Sequence, residues 1–571
     1  MSKSKQKNCC CTRECGLITA GIIGAILVIL GGMLVFIFDT VYENIVKRES
    51  VIANNTDAYA AWSAPPPLYF ELYVFNCTNP KEYLAGAENG TYIKPHFQEL
   101  GPYVYKEFQK KDQMEFLDTE PEELRYRSTA KYYFEPSLSS GSEDDLVTTV
   151  NIIATAVPSI VEYWIATVPL NDTTARVLRR TVNKMINDAG SELLFTKTVG
   201  ELLFGFHDEL LSLIVNTIEL LPIEGLPEGD LPETFGLFST MNNSAGWYNY
   251  TIYTGKESYL LMNKLIAYND IRELDFWFGE ECNMINGTDG TTMPAFMNKD
   301  ETMYIFVDDI CRSMYAEFYE EVNIKGVPGW EYRIPRQLFE APSTYEPNEC
   351  WCPDLSLDVC QHSGGLPLSS CLYGAPIFMT SPHFLYAEYY LDFVEGLEPN
   401  EDDHATPLVY EPSTGICIRA DKRLQINMYM MPFEHYDIMN KFPDMYYVFP
   451  ILWLNESYIV SDDDAASMYR YLVQPGESFA ITQIVFCIVG SVLVVAVIYF
   501  AAVMHFNEKN KGNDISSEDY ETKQEKTKYS PSNGNTYYDN GGMEMKEDVP
   551  EDKTEYRAYE NVEKDVPVTQ L

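Results

Sequence analysis

The sequence predicts a two-span membrane protein whose large α+β ectodomain joins β-strands to a helical segment, and three observations carry that class. Two uncharged apolar runs, residues 17–38 and 479–504, lie near the ends of the 571-residue chain. Eight asparagines head Asn-x-Ser/Thr sequons, and all eight fall between the runs. Six of the 13 cysteines crowd into one block, from Cys282 to Cys371.

The first run has 22 residues, enough at about 1.5 Å per helical residue to cross a hydrocarbon core of about 30 Å. A cleaved signal peptide needs a shorter apolar core and small residues at its cleavage site. Here Asp39-Thr40-Val41-Tyr42-Glu43 follows instead, so retention is expected. The second run is interrupted only by Thr482, Gln483 and Ser491. Lys3, Lys5, Lys7 and Arg13 precede the first run and Lys509 and Lys511 follow the second, which places both termini in the cytoplasm. The expected organisation is a cytoplasmic tail over 1–16, spans over 17–38 and 479–504, an ectodomain over 39–478 and a cytoplasmic tail over 505–571. The sequons at Asn54, Asn76, Asn89, Asn171, Asn242, Asn249, Asn286 and Asn455 agree with that topology, since glycans are added on the lumenal side.

The cysteine block is Cys282, Cys311, Cys350, Cys352, Cys360 and Cys371, with the sequon Asn286-Gly287-Thr288 inside it. An oxidising compartment makes it a disulfide framework, and spacing alone does not choose among the pairings. A zinc site is the rival reading. Cys350-Trp351-Cys352 is tighter than the usual zinc spacing and no histidine pair accompanies it, so no metal is expected.

Charge narrows the partners. The chain carries a formal −44, with +3 over the first 16 residues and −7 over residues 506–571, which leaves −40 between them. So acidic an exterior argues against nucleic acid as a ligand.

In chain order, Cys9, Cys10, Cys11 and Cys15 stand just before the first span and are candidates for palmitoylation. Gly21, Ala25 and Gly32 share one face of that span, with Ala20, Gly24 and Gly31 beside it; small residues let a second helix approach, either the other span or a neighbouring protomer. From Tyr42 to about Val150 the composition is strand-like. Leu68-Tyr69-Phe70-Glu71-Leu72-Tyr73-Val74-Phe75 is rich in strand formers, and Gly101-Pro102 reads as a turn leading into Tyr103-Val104-Tyr105.

Between residues 152 and 221 the period becomes helical. Leu178, Val182, Met185, Ile186 and Ala189 fall on one face, with Asp172-Thr173 as N-cap and Gly190 as stop. A second helix runs from Asp208 through Leu210, Leu211, Leu213, Ile214 and Ile218. Arg176, Arg179, Arg180 and Lys184 line one face of the first, a basic stripe in acidic surroundings and a candidate receptor for an anionic ligand; the alternative is a solvated helix face. Strands return near Tyr248 and alternate with turns after the cysteine block, and Phe449-Pro450-Ile451-Leu452-Trp453-Leu454 is expected as a core strand or tunnel wall.

The tail after Met504 is expected to be disordered. Tyr559-Glu560-Asn561-Val562 fits an endocytic adaptor signal, and the terminal Thr569-Gln570-Leu571 fits a PDZ ligand, which adds as a strand with its carboxylate held by backbone amides. No phosphate-binding loop or nucleophile elbow occurs. Asp462-Asp463-Asp464 and Asp402-Asp403-His404 read as loop charges, so neither an enzyme nor a cofactor is expected.

Several strings, in order, carry a family resemblance: Val74-Phe75-Asn76-Cys77-Thr78-Asn79-Pro80, Gly101-Pro102-Tyr103-Val104-Tyr105, Asp309-Ile310-Cys311-Arg312-Ser313, Ser381-Pro382-His383-Phe384-Leu385-Tyr386-Ala387, Gly396-Leu397-Glu398-Pro399-Asn400 and Pro450-Ile451-Leu452-Trp453-Leu454-Asn455-Glu456. From about Leu17 to Met504 the chain resembles the class B scavenger receptors, a family that includes a fatty-acid translocase, a lipoprotein receptor and a lysosomal membrane protein. The resemblance implies an antiparallel β-barrel ectodomain with a helical-bundle apex and an apolar tunnel. It also implies the pairs Cys282–Cys350, Cys311–Cys371 and Cys352–Cys360, leaving Cys77 and Cys417 either joined or as thiols. The helical segment maps to the ligand-receiving apex. The translocase branch has a lysine where Asp188 stands, so its fatty-acid contacts do not carry over.

The function implied is a cell-surface receptor that captures lipoproteins or anionic particles and passes fatty acids or sterols passively to the membrane. PDZ and endocytic adaptors are the expected cytoplasmic partners, with a homo-oligomer as a further option. The tail lacks an acidic dileucine signal, which favours the plasma membrane over lysosomes. An adhesion or phagocytic receptor without lipid transfer is the main alternative, and a two-span ligand-gated channel is a more distant one.

Overall fold

Once nucleated, a helix continues until something stops it, and no glycine or proline lies between Gly32 and Glu49. In the computed structural model, which describes residues 13–54, 56–218, 234–239, 245–441 and 447–524, the first helix, α1, accordingly runs unbroken over Arg13–Glu49. The expected span ends at residue 38, but the helix does not, and strand structure does not begin at Tyr42. Past the apolar run Val41, Tyr42, Ile45 and Val46 form one face, and Lys47 pairs with Glu43 one turn earlier at 3.1 Å.

The chain divides into a unit of residues 22–492 and a unit of its two ends, 1–21 and 493–571. In the smaller unit Gly21 meets Val497, where an added Cβ would stand 3.4 Å from the valine side chain. In the larger unit a Cβ on Gly490 would come within 2.7 Å of the Gly24 carbonyl oxygen. The two apolar helices therefore approach at backbone distance, through Gly21, Gly24 and Gly31 rather than Gly32.

Among the described residues thirteen strands form the main sheet: β1 Leu68–Cys77, β2 Phe97–Leu117, β3 Glu123–Phe134, β4 Ala245–Tyr253, β5 Leu265–Tyr268, β6 Met303–Val307, β7 Arg312–Ile324, β8 Val327–Arg333, β9 Gly365–Pro367, β10 Ile377–Thr380, β11 Pro407–Tyr410, β12 Cys417–Met430 and β13 Tyr447–Ile459. Its order is β6-β7-β8-β11-β12-β13-β1-β2-β3-β4-β5, every pair antiparallel, with β9 and β10 attached to β12. The segment at Gly287-Thr288 bridges the two edges. Leu265 of β5 donates its N–H to the Gly287 carbonyl at 2.8 Å, and Phe306 of β6 donates to the Thr288 carbonyl at 2.9 Å. The sheet is thus nearly closed into a barrel, which removes exposed strand edges.

Gly101-Pro102 lies inside β2, not in a turn before it. There the register against β1 shifts between Leu72 and Val74, φ of Gly101 is 136°, and a Cβ would sit 2.7 Å from the Leu72 carbonyl oxygen. Only glycine fits such a bulge. The expected core strand at Phe449 is β13, whose residues 447–455 are all buried.

The helical segment holds α2 Ile152–Thr167, α3 Asp172–Asp188, α4 Val199–Phe204 and α5 Glu209–Ile218. Its residues 219–221 lie outside the described ones, as does the sequon at Asn242. On α3 the buried face is Ala175, Leu178, Val182 and Ile186, with Met185 and Ala189 half-buried beside it. Burial of each larger aliphatic side chain contributes about 1.5–3 kcal/mol. The cap is Asn171, one residue earlier than expected: its Oδ1 accepts from the amides of Thr173 and Thr174. Asp208 caps α5 through the Leu211 amide.

Disulfides join Cys282 to Cys350, Cys311 to Cys371 and Cys352 to Cys360, while Cys77 is a buried thiol and Cys417 a half-buried one. The last helix, α6, covers Gln474–Gln524 and so continues past Met504 into residues expected to be disordered.

Candidate functional site

Alternation along the strands points every second side chain inward. On β12 these are Ala420, Lys422, Leu424 and Ile426, on β13 Leu454, Glu456 and Tyr458, and on β2 Glu107, Gln109 and Lys111. They enclose a cavity of about 2470 Å³, larger than the usual small-ligand pocket of about 300–1,000 Å³. Most of the wall is aliphatic or aromatic. At one end it is built from Ile37, Phe38 and Val41 of α1 and Leu472, Pro475 and Phe479 around the start of α6, with the Phe38 and Phe479 rings 4.7 Å apart. Those residues adjoin both apolar runs, so the cavity reaches the base of the spans.

Charged side chains interrupt the apolar wall, and some of them gather in ion-paired clusters around Lys111 and around Lys422. In the first, Lys111 Nζ lies 2.8 Å from Asp289, donates to the Trp62 carbonyl at 3.3 Å and sits 4.4 Å from the Trp62 ring centre. Asn263 and Thr291 also donate to Asp289. Burial alone would push the Asp289 carboxyl up, but Lys111 and these hydrogen bonds outweigh it and hold it below the usual range.

In the second, Lys422 contacts Asp309 at 2.5 Å and Glu456 at 2.9 Å. Burial works against its charge, and the two carboxylates overcome it, so the ammonium stays protonated. Glu107 stands nearby, only 1% exposed; its Oε1 accepts from Gln109 at 2.9 Å and Tyr132 at 3.3 Å. Its Oε2 is buried with no hydrogen-bond partner among the described residues. Burial, reinforced by Glu456, pushes the Glu107 carboxyl up to about 8. Burial and then Asp309 likewise push Asp308 up to about 6, and Tyr250 donates to it. Cys417 also lines the cavity, and burial pushes its thiol up to about 12, which makes it a poor nucleophile.

The basic stripe is not part of this wall. None of Arg176, Arg179, Arg180 and Lys184 lines the cavity. Arg179 is committed to Glu162, with Nε–Oε1 2.8 Å and a second contact of 2.5 Å, and that pairing raises its pKa; Tyr436 donates to the same carboxylate. Lys184 pairs with Asp188, Arg176 Nε donates to the Asp172 carbonyl, and Arg180 is exposed. Three of the four cations therefore face solvent, and Arg179 is a brace between α2 and α3.

Asn54, Asn89 and Asn171 are exposed, and Asn76, Asn249 and Asn286 are half-buried. Asn455 is 6% exposed on β13, and its Nδ2 donates to Glu71. Cys15 is exposed, whereas Cys9, Cys10, Cys11 and the tail positions Tyr559, Val562, Thr569 and Leu571 lie outside the described residues. Asp462, Asp463 and Asp464 form the first turn of a helix rather than a loop, where acidic side chains complement the helix dipole. His404, expected in a loop, is buried and stacks on His383 at 4.4 Å.

A sequence model of the CD36 family matches residues 22–501. Among curated proteins, lysosome membrane protein 2 of Homo sapiens is 33% identical over 465 residues, covering 81% of this chain and 89% of the relative. The Rattus norvegicus form is 32% identical over 460 residues, 80% of this chain and 88% of the relative. Scavenger receptor class B member 1 of Sus scrofa is 30% identical over 477 residues, 83% and 87% respectively.

Proposed function

The chain belongs to the CD36 family, and from that premise we propose that it is a two-span membrane receptor that takes lipid into its barrel cavity and passes it passively toward the bilayer. What carries this reading is the apolar cavity of about 2470 Å³ whose wall includes residues of both helices at the base of the spans. A space that size, lined by Leu, Ile, Met and aromatic side chains, removes an acyl chain or sterol from water at a gain of about 25 cal/mol per Å². Movement down a concentration gradient needs no nucleotide and no catalytic group.

In the same reading residues 39–478 face the exterior and both termini the cytoplasm, with disulfides and glycans following from that address. Arg176, Arg180 and Lys184 give anionic particles a first contact outside the cavity. One set of relatives carries the name of a scavenger receptor and the other that of a lysosome membrane protein; the plasma membrane is the site proposed here.

The test is uptake of a fluorescent fatty acid and of a cholesteryl ester from lipoprotein particles, in cells matched for surface level. Ala130→Trp combined with Ala420→Trp, both in the cavity wall, should abolish uptake while particle binding persists. Arg176→Glu with Arg180→Glu and Lys184→Glu should weaken particle binding. Unchanged uptake in the filled variant would remove the cavity from the route, and particle binding without uptake by the wild type would favour an adhesion receptor.

A further inference from the structure

Lys422, Glu456, Asp309, Asp308 and Glu107 come from β12, β13, the β6–β7 turn and β2, yet they meet at one place on the cavity wall. Four carboxyl groups share a single lysine there, and that lysine is already paired twice. A ligand carboxylate would meet like charges and find the ammonium taken. Glu107 Oε2 is an acceptor buried at the wall with no partner among the described residues.

We propose that this cluster is a head-group site that selects lipids ending in a cationic amine over lipids ending in a carboxylate. An ammonium donates to Glu107 Oε2 and offsets the excess of negative charge, while its chain lies along the neighbouring aliphatic wall near Leu424 and Leu454. The inference rests on the reading of the cavity as a lipid site and names which lipids it prefers.

A pH dependence follows. The groups facing Glu107 are Gln109 on its own strand, Tyr132 on β3, Glu456 on β13 and Lys422 on β12, with Asp309 and Asp308 behind the lysine. With its carboxyl pushed up to about 8, Glu107 is mostly uncharged at neutral pH. An ammonium requires the ionised form, so binding below about pH 8 releases a proton from Glu107. Amine affinity then weakens as pH falls, by up to roughly tenfold per unit. An alcohol of the same chain length is indifferent to this change.

The experiment displaces an uncharged fluorescent lipid from full-length protein in detergent, using a saturated primary amine, the alcohol and the carboxylate of one chain length. The amine should compete at least about tenfold better than the carboxylate at pH 8. Glu107→Gln should remove the amine's advantage and its pH dependence while alcohol binding stays. Proton release by the wild type, read from the buffer dependence of the binding enthalpy, gives a second readout that does not depend on the variant folding. Equal competition by amine and carboxylate with no proton release would overturn the proposal and leave the lipid cavity standing. Failure of the uncharged probe to bind would overturn both.

Discussion

Replacing Lys111 by methionine is expected to destabilise the ectodomain by roughly 3–5 kcal/mol, because it leaves the Asp289 carboxylate buried without its cation. That is a large share of the roughly 5–15 kcal/mol that holds a domain together. The wild-type pair is closed on all sides, with Lys111 on Asp289, the Trp62 carbonyl and the Trp62 ring, and Asp289 also bonded to Asn263, whose Oδ1 in turn accepts from the Trp62 indole at 2.9 Å. Removal of one member therefore loosens the short helix Asp57–Ser63, which carries Trp62, together with the Asp289 turn.

The sign of the pH effect separates this account from a simple packing loss. In the wild type the Asp289 carboxyl is held low, so its contribution is present above the usual carboxylate range and is lost as pH falls through its lowered value. In Lys111→Met the main lowering influence is gone and burial raises the pKa, so the variant regains stability on acidification. Adding Asp289→Leu should restore much of the loss at neutral pH. Denaturant unfolding of the detergent-solubilised protein gives both numbers, and a double variant no better than the single would count against a charge origin.

Loss of the Cys311–Cys371 bridge should be the other severe change, costing about 2–5 kcal/mol and most of the surface-expressed protein. The bridge closes a sequence separation of 60 residues, against 8 for Cys352–Cys360, so chain entropy ranks the second loss about 2 kcal/mol milder. Position adds to length. Cys311 sits in the left-handed conformation, φ 53°, at the end of the turn that presents Asp308 and Asp309 to Lys422, and its carbonyl accepts from the Trp277 indole at 2.7 Å. Comparing Cys311→Ala/Cys371→Ala with Cys352→Ala/Cys360→Ala by surface abundance and thermal unfolding tests the ranking. Equal or reversed losses would contradict it.

Features carried by local pattern were legible in the sequence. The two apolar helices, the strand at Leu68 and the amphipathic face of Leu178, Val182 and Ile186 each announce themselves within a few turns of chain. The extension of α1 to Glu49 was hidden because Asp39 ends the apolar run without ending the helix; hydropathy and helicity are different signals. Arg179 looked like one more surface cation, since Glu162 lies on another helix and no spacing rule links them. The cavity's charged cluster was hidden for the same reason. Glu107, Asp309, Lys422 and Glu456 are scattered over 350 residues, and each reads as the polar member of an alternating strand or turn until the closed sheet turns that face inward.

The most direct measurement is the lipid content of the purified full-length protein, extracted and quantified per chain for the wild type and for the variant carrying Ala130→Trp and Ala420→Trp. The account predicts that wild type carries lipid in near-stoichiometric amount and that the filled cavity carries markedly less at equal folded yield. Equal lipid in both, or none in either, would contradict the claim that the barrel interior is where this protein holds its ligand.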